Sequence, residues 1–91
     1  MSVIFIRERD PADVRAKLPP LSPRQMLLGL ATIGITEADV EAGLGDDALA
    51  LIEWRKASQF ERLHPLVVEM GDYFELPPEQ IDSLWLYALD L

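Results

Sequence analysis

The residues best suited to chemistry in this 91-residue chain are its sixteen carboxylates and its single histidine, His64. Cysteine is absent, which excludes a thiol nucleophile, a disulfide framework and a zinc knuckle. One histidine cannot supply the several imidazoles that transition-metal sites usually contain. The composition therefore predicts no metal site and no cofactor.

The carboxylates and the histidine also lack the arrangement that catalysis needs. Glu53 and Glu61 could share nearby faces of one helix, but acid–base catalysis requires two carboxylates on opposite sides of a substrate. They are more simply solvated partners for neighbouring bases. Ser58 would lie on the opposite side of an unbroken helix from His64, so it is not placed to act as a nucleophile that His64 activates. We therefore expect no catalytic residue and no enzymatic activity, with His64 capping or packing against a helix that opens at Pro65.

Charge is distributed unevenly along the chain, whose formal net charge is −8. Through Arg24 there are five bases and three acids, whereas from Gln25 onward there are three bases and thirteen acids. An acidic body repels phosphate backbones and anionic membrane surfaces, so we expect neither nucleic acid nor a membrane as a partner. No apolar run approaches the roughly 18 residues that span a bilayer. The asymmetry favours a basic arm that contacts the acidic body of its own chain or of a neighbour.

The chain opens with an apolar run whose members are β-branched or aromatic: Val3, Ile4, Phe5 and Ile6. This composition predicts a short strand, and no second strand follows. The run is therefore a candidate interface with another copy or with a partner's sheet edge; the alternative is an extended arm that packs on the helices. Residues 10–23 hold four of the seven prolines, and Pro19 and Pro20 end any helix begun near residue 12. Residues 1–20 are thus predicted to be an extended arm and linker.

Residues 21–91 are predicted to form one all-α domain, a compact bundle of four to five short helices. The predicted helices begin at recognisable caps or opening prolines: Ser22 in a Ser-x-x-Gln capping box, Thr36, Asp46 or Asp47, Pro65, and Pro78. Gly71 lies inside the helix that opens at Pro65, where glycine costs about 1 kcal/mol relative to alanine. It therefore predicts a close crossing with another backbone.

The third predicted helix, over residues 48–63, presents two faces. Its apolar residues at about 100° spacing form one stripe: Leu49, Ile52, Phe60 and Leu63. Lys56 lies in the middle of this stripe, and Trp54 points well away from it. The helix either bends or contacts partners on two faces. Lys56 and Trp54 are therefore candidate interface residues, although a lysine stem can cover apolar surface without a function and most tryptophans belong to a core.

Motifs in the second half resemble those of a family of short bacteriophage and prophage proteins. The stretches that carry the resemblance are Ile52-Glu53-Trp54-Arg55, Phe60-Glu61-Arg62, His64-Pro65-Leu66-Val67 and Ile81-Asp82-Ser83-Leu84-Trp85. Ser22-Pro23-Arg24-Gln25, with Leu28 and Gly34, is similar to the usual opening of the family. The resemblance covers residues 21–91, and the arm lies outside it.

Members of that family occur alone or at the ends of longer phage proteins, typically encoded beside tail and tail-fibre genes. The resemblance implies a non-enzymatic tail-associated structural or assembly adaptor that acts by protein–protein contact. Its partner would be a tail or fibre component or a second copy, in the host cytoplasm during assembly or in the virion tail. The alternative is a soluble, phage-encoded regulator or inhibitor of a host protein, which a small acidic protein suits by charge.

Three polar residues stand out within the shared motifs because most of their neighbours are apolar or terminate helices: Glu53, Arg62 and His64. The resemblance carries no catalytic residue. We expect Glu53 or Arg62 to make a buried or half-buried polar contact that supports the fold.

Overall fold

The computed structural model describes residues 11–91. Six helices follow one another along this part of the chain: α1 (Pro11–Ala16), α2 (Pro23–Ala31), α3 (Glu37–Leu44), α4 (Ala48–Lys56), α5 (Pro65–Tyr73) and α6 (Pro78–Ala88). Between residues 11 and 91 no strand forms beyond an isolated antiparallel bridge, so the predicted all-α class is confirmed. The candidate interface residues of the arm lie outside the described residues: Val3, Ile4, Phe5 and Ile6.

Helix starts follow the local capping signals. The backbone N–H of Gln25 donates to Ser22 Oγ at 3.1 Å, and the backbone N–H of Ser22 donates to Gln25 Oε1 at 2.9 Å. These two hydrogen bonds form the predicted capping box. Thr36 forms an equivalent box with Asp39. Of the two aspartates proposed for α4, Asp47 is the cap, since its Oδ1 accepts from Ala50 N at 3.1 Å.

The prediction that α4 runs to residue 63 is wrong, because the helix ends at Lys56 and Ala57 is extended. Phe60 instead exchanges two backbone hydrogen bonds with Leu21, of 2.8 and 2.9 Å. Its ring is almost fully buried and lies 5.3 Å from that of Trp54. An extended backbone turns Phe60 into the core, and pairing with Leu21 replaces the helical hydrogen bonds that the chain gives up.

The face that α4 buries also differs from the predicted one. Trp54 is 5% exposed and Ala50 is buried beside it, so the interface role predicted for Trp54 is wrong and the core alternative holds. Leu49 and Ile52, which belong to the predicted apolar stripe, are 76% and 55% exposed. Burying the indole removes more apolar surface from water than burying either aliphatic residue. The helix therefore directs Trp54 to the core and the two aliphatic residues to solvent.

The core lies where α2 packs against α6 and where α5 packs against α3 and α4. Its large apolar members are buried side chains from every helix except α1, together with two connecting residues: Leu21, Met26, Leu30, Val40, Trp54, Phe60, Leu66, Val67, Met70, Ile81 and Trp85. The indole N–H of Trp85 donates to the carbonyl of Pro19 at 2.8 Å, which satisfies the one polar atom of that buried ring.

The prediction of an extended linker is wrong for residues 11–16, which form helix α1. This helix buries none of its own residues. It is tied to α6 through Arg15, and the Pro19 carbonyl that follows it accepts from Trp85. The proline pair ends this helix, as the sequence predicts. Within residues 11–91 no helix has both the length and the hydropathy that crossing a bilayer would require.

Replacing Gly71 with alanine should lower the free energy of unfolding by about 1 kcal/mol. An added Cβ would lie 2.6 Å from Cδ1 of the buried Ile81, so the close neighbour is a side chain rather than the backbone predicted. Repacking a core costs about 1–3 kcal/mol, more than the roughly 1 kcal/mol gained in helix propensity. Urea denaturation measures the difference.

Gly43→Ala is the matched control, because its Cβ would meet the ring of Tyr73 at the same distance of 2.6 Å. Tyr73 is 57% exposed and its ring can swing into solvent. We expect Gly43→Ala to be at least as stable as the wild type. A Gly71→Ala protein with wild-type stability would contradict the packing argument.

Candidate functional site

The structure gathers the candidate residues into two places. Arg62 lies in the 57–64 loop between α4 and α5, at 4% exposure, within a cluster of charged side chains. Glu53, Lys56 and His64 lie on a separate, solvent-exposed surface that includes α4. The first arrangement concerns how the fold is held together, and the second concerns what the protein presents to a partner.

We expected either Glu53 or Arg62 to make a buried polar contact, and Arg62 makes it. Its Nε donates to Asp82 Oδ1 at 2.9 Å, and its Nη2 lies 2.8 Å from the same oxygen. Nη2 also donates to the carbonyl of Pro78 at 3.1 Å. A buried guanidinium is tolerated only with partners of this kind, because an unpaired charge away from water is very costly.

Asp82 also binds a second guanidinium, and sequence reasoning missed this role. Arg15 Nε lies 2.9 Å from both carboxylate oxygens, and its Nη2 lies 2.8 Å from Oδ2. A further contact of 3.9 Å joins Arg15 to Glu79, which is 82% exposed. Asp82 therefore links α1, the 57–64 loop and α6. A buried arginine signals that it needs a carboxylate, but the sequence offers sixteen and does not say which one.

These contacts keep Asp82 ionised. Burial raises the pKa of the Asp82 carboxyl, but hydrogen bonds from Arg15 and Arg62, with the attraction of their charges, outweigh it and hold the pKa below its usual value. The hydrogen bond to Asp82 raises the pKa of Arg15 against the opposing effect of burial. Because two arginines hold its carboxylate, Asp82 is fixed between α1 and the 57–64 loop, and the cluster suits a structural role.

The exposed surface is a stripe along the outward face of α4, at helical spacing. We call Leu49, Ile52, Glu53 and Lys56 the α4 outer stripe. Glu53 Oε2 lies 3.3 Å from Nε2 of His64, an exposed pair that is ionic only when the imidazole is protonated. His64 Nδ1 accepts from Leu66 N at 3.0 Å, so His64 caps α5 as its position before Pro65 suggested. Lys56 makes no ion pair with any residue between 11 and 91.

An open groove of about 200 Å³ runs beside this stripe, between α4 and α5. Apolar side chains form part of its lining, with carboxylates among them: Leu49, Ala50, Pro65 and Leu66, then Asp47, Glu53 and Glu69. Among residues 11–91, no lysine or arginine lines it. The described residues contain no group of three or more His, Asp or Glu side chains placed to hold a metal ion. His64 also lines the groove, and a mixture of apolar and charged side chains is typical of protein interfaces.

No protein-family model, curated protein or solved structure matches the chain. Function is therefore inferred from the side chains that the fold leaves accessible, foremost the α4 outer stripe.

Arg62→Ala should lower the free energy of unfolding by about 2–3 kcal/mol, because it removes a buried charge that joins two segments and leaves Asp82 with one partner. Thermal or urea unfolding measures the loss. Arg55→Ala is the control, since Arg55 is 55% exposed in its pair with Glu41 and should leave the unfolding midpoint close to wild type. Equal midpoints for wild type and Arg62→Ala would contradict a structural role for Arg62.

The stabilisation from Asp82 should depend on pH. Since its pKa is lowered in the folded state, its contribution is complete above the unfolded value of about 4 and is lost as the pH falls through the folded value. At pH 7, Asp82→Asn should be less stable than wild type by about 1–3 kcal/mol, and this gap should narrow below about pH 4. Urea titrations across that range test it.

Asp46→Asn provides the control, because Asp46 is exposed and caps no helix. It should stay within about 0.5 kcal/mol of wild type at pH 7. A gap between wild type and Asp82→Asn that stays constant down to about pH 3 would contradict the role of the ionised carboxylate.

Proposed function

We propose that this protein is a non-enzymatic adaptor that acts by protein–protein contact through the α4 outer stripe. The observation that carries the proposal is the exposure of Leu49 and Ile52, at 76% and 55%, one helical turn apart. Burying such side chains against a partner releases about 1.5–3 kcal/mol each. Glu53 and Lys56 flank them and supply the polar rim that protein interfaces usually have.

The motif residues divide in a way that supports this surface. Trp54 and Arg62 face inward and hold the fold, whereas Ile52 and Glu53, in the same motif as Trp54, face solvent. Packing in the core accounts for the residues that face inward. The residues that face solvent have no such role, and we assign them to a contact with another molecule.

The partner that we propose is a component of a phage tail or tail fibre. The resemblance of the quoted motifs to short phage and prophage proteins supports this choice. We propose the host cytoplasm during assembly, or the virion tail, as its location. The net charge of −8 disfavours nucleic acid and anionic membranes as partners. The second candidate, a regulator or inhibitor of a host protein, is favoured by the same charge.

A quantitative pull-down tests the proposal. Tagged wild-type protein and the double variant Leu49→Ser/Ile52→Ser are produced in cells making the parent phage, and bound proteins are identified by mass spectrometry. We expect the wild type to recover a tail or fibre protein and the variant to recover at least about tenfold less, given the apolar area lost.

The matched control is Leu86→Ser/Tyr87→Ser on α6, whose targets are 56% and 53% exposed. It should retain the partner, and all three proteins should unfold at similar temperatures. Equal recovery by the α4 and α6 variants would remove the α4 outer stripe as the interface. A host enzyme or regulator in place of a tail protein would reject the tail assignment and support the second candidate.

A further inference from the structure

The α4 outer stripe and the groove between α4 and α5 form one continuous surface. We call this groove the α4–α5 groove. Leu49 belongs to both, since its exposed side chain lines the groove together with Pro65 and Leu66. The volume of about 200 Å³ exceeds that of the roughly 150 Å³ apolar cavity that holds a benzene molecule, so one large apolar side chain of a partner fits there.

The α4 outer stripe has the spacing of a surface along which two helices pack. Its four members lie at positions i, i+3, i+4 and i+7 of α4, on one side of about 10 Å of the helix axis. Trp54 occupies the opposite side and faces the core, and Leu49 and Ile52 are exposed, so no element between residues 11 and 91 covers the stripe. An amphipathic helix that lies along such a face is a recurring mode of recognition.

The carboxylates of the α4–α5 groove carry a negative charge that residues 11–91 do not neutralise. Asp47 and Glu69 form no ion pair within that part of the chain. The ionic contact of Glu53 is with His64, which is charged only when protonated. Asp47 and Glu53 lie six residues apart, which is about 9 Å along the helix. Lys56 lies one turn beyond Glu53 and outside the lining of the groove.

Charge decides between the possible occupants of this groove. A second copy has a net charge of −8, with thirteen acids against three bases from Gln25 onward, so its body is repelled. The described residues hold no group of three or more His, Asp or Glu side chains that could bind a metal ion. A partner segment with lysines or arginines beside its apolar residues is attracted to the carboxylates and removes the stripe from water.

We propose that the occupant of the α4–α5 groove is a basic amphipathic helix of the partner protein. One apolar side chain of this helix enters the groove beside Leu49, and its lysines or arginines face Asp47, Glu53 and Glu69. The proposal rests on the adaptor function proposed above and adds the chemistry of the segment that the adaptor recognises. Charge pairing selects the partner and its register, and the apolar contacts add affinity.

The affinity of the full chain for two designed peptides, measured by fluorescence anisotropy, tests this proposal. An alanine-based helical peptide of about 16 residues carries leucines one turn apart with lysines beside them, and its twin has glutamates in place of the lysines. We expect the wild type to bind the lysine peptide at least about tenfold more tightly than the twin. Leu49→Ser/Ile52→Ser should weaken binding of the lysine peptide at least about tenfold. Glu53→Gln/Glu69→Gln should weaken it about three- to tenfold.

Glu75→Gln/Asp90→Asn is the matched control, because it removes the same charge from two exposed carboxylates that do not line the groove. It should change the affinity for the lysine peptide by less than about twofold. Equal weakening by the two charge variants would show that the net charge alone attracts the peptide, and would overturn the proposal. Equal binding of both peptides, or no binding of the lysine peptide, would overturn it as well.

The pull-down described above separates a failure of this proposal from a failure of the adaptor function. If Leu49→Ser/Ile52→Ser loses the tail protein but the wild type shows no preference for the lysine peptide, the adaptor function stands and the basic helix is overturned. If the α4 and α6 variants recover the tail protein equally but the peptide results are as expected, the groove binds basic helices and the α4 outer stripe is not the interface with the tail protein.

Discussion

The pairing of one buried guanidinium organises three separate parts of this fold. Arg62 lies at 4% exposure in the 57–64 loop, and a charge at that depth requires a carboxylate and further acceptors. Asp82 and the carbonyl of Pro78 supply them, which fixes the first turns of α6 against the loop. The same carboxylate also binds Arg15, and α1, which buries no side chain of its own, is held to the body through that contact.

The loop that carries Arg62 also decides which surface of α4 the protein presents. Phe60 leaves the helical path to pair with Leu21, and its ring lies against Trp54 in the core. With the indole facing inward, Leu49 and Ile52 are turned toward solvent. The accessible apolar stripe is therefore a consequence of how the core is filled, and a partner that covers it would complete a surface that the single chain leaves in water.

The two grooves on either side of α5 differ in what they suit. In the part of the chain that the structure describes, the groove beside the α4 outer stripe has three carboxylates and no lysine or arginine in its lining, so it suits a partner with basic residues. The groove on the other side of α5 contains two arginines, Arg15 and Arg62, whose charges Asp82 already pairs.

The sequence by itself determined the all-α class and the starts of helices α2 to α6, because these depend on prolines and on hydrogen bonds that reach three residues or fewer. It also indicated that Glu53 or Arg62 makes a buried polar contact, and the structure selects Arg62. Only the tertiary structure decided that α4 ends at Lys56, that Trp54 rather than Leu49 faces the core, and that Asp82 pairs with Arg62 and Arg15. Those outcomes depend on contacts between residues that are 20 to 67 positions apart or on competition between faces for the core, which local periodicity does not contain.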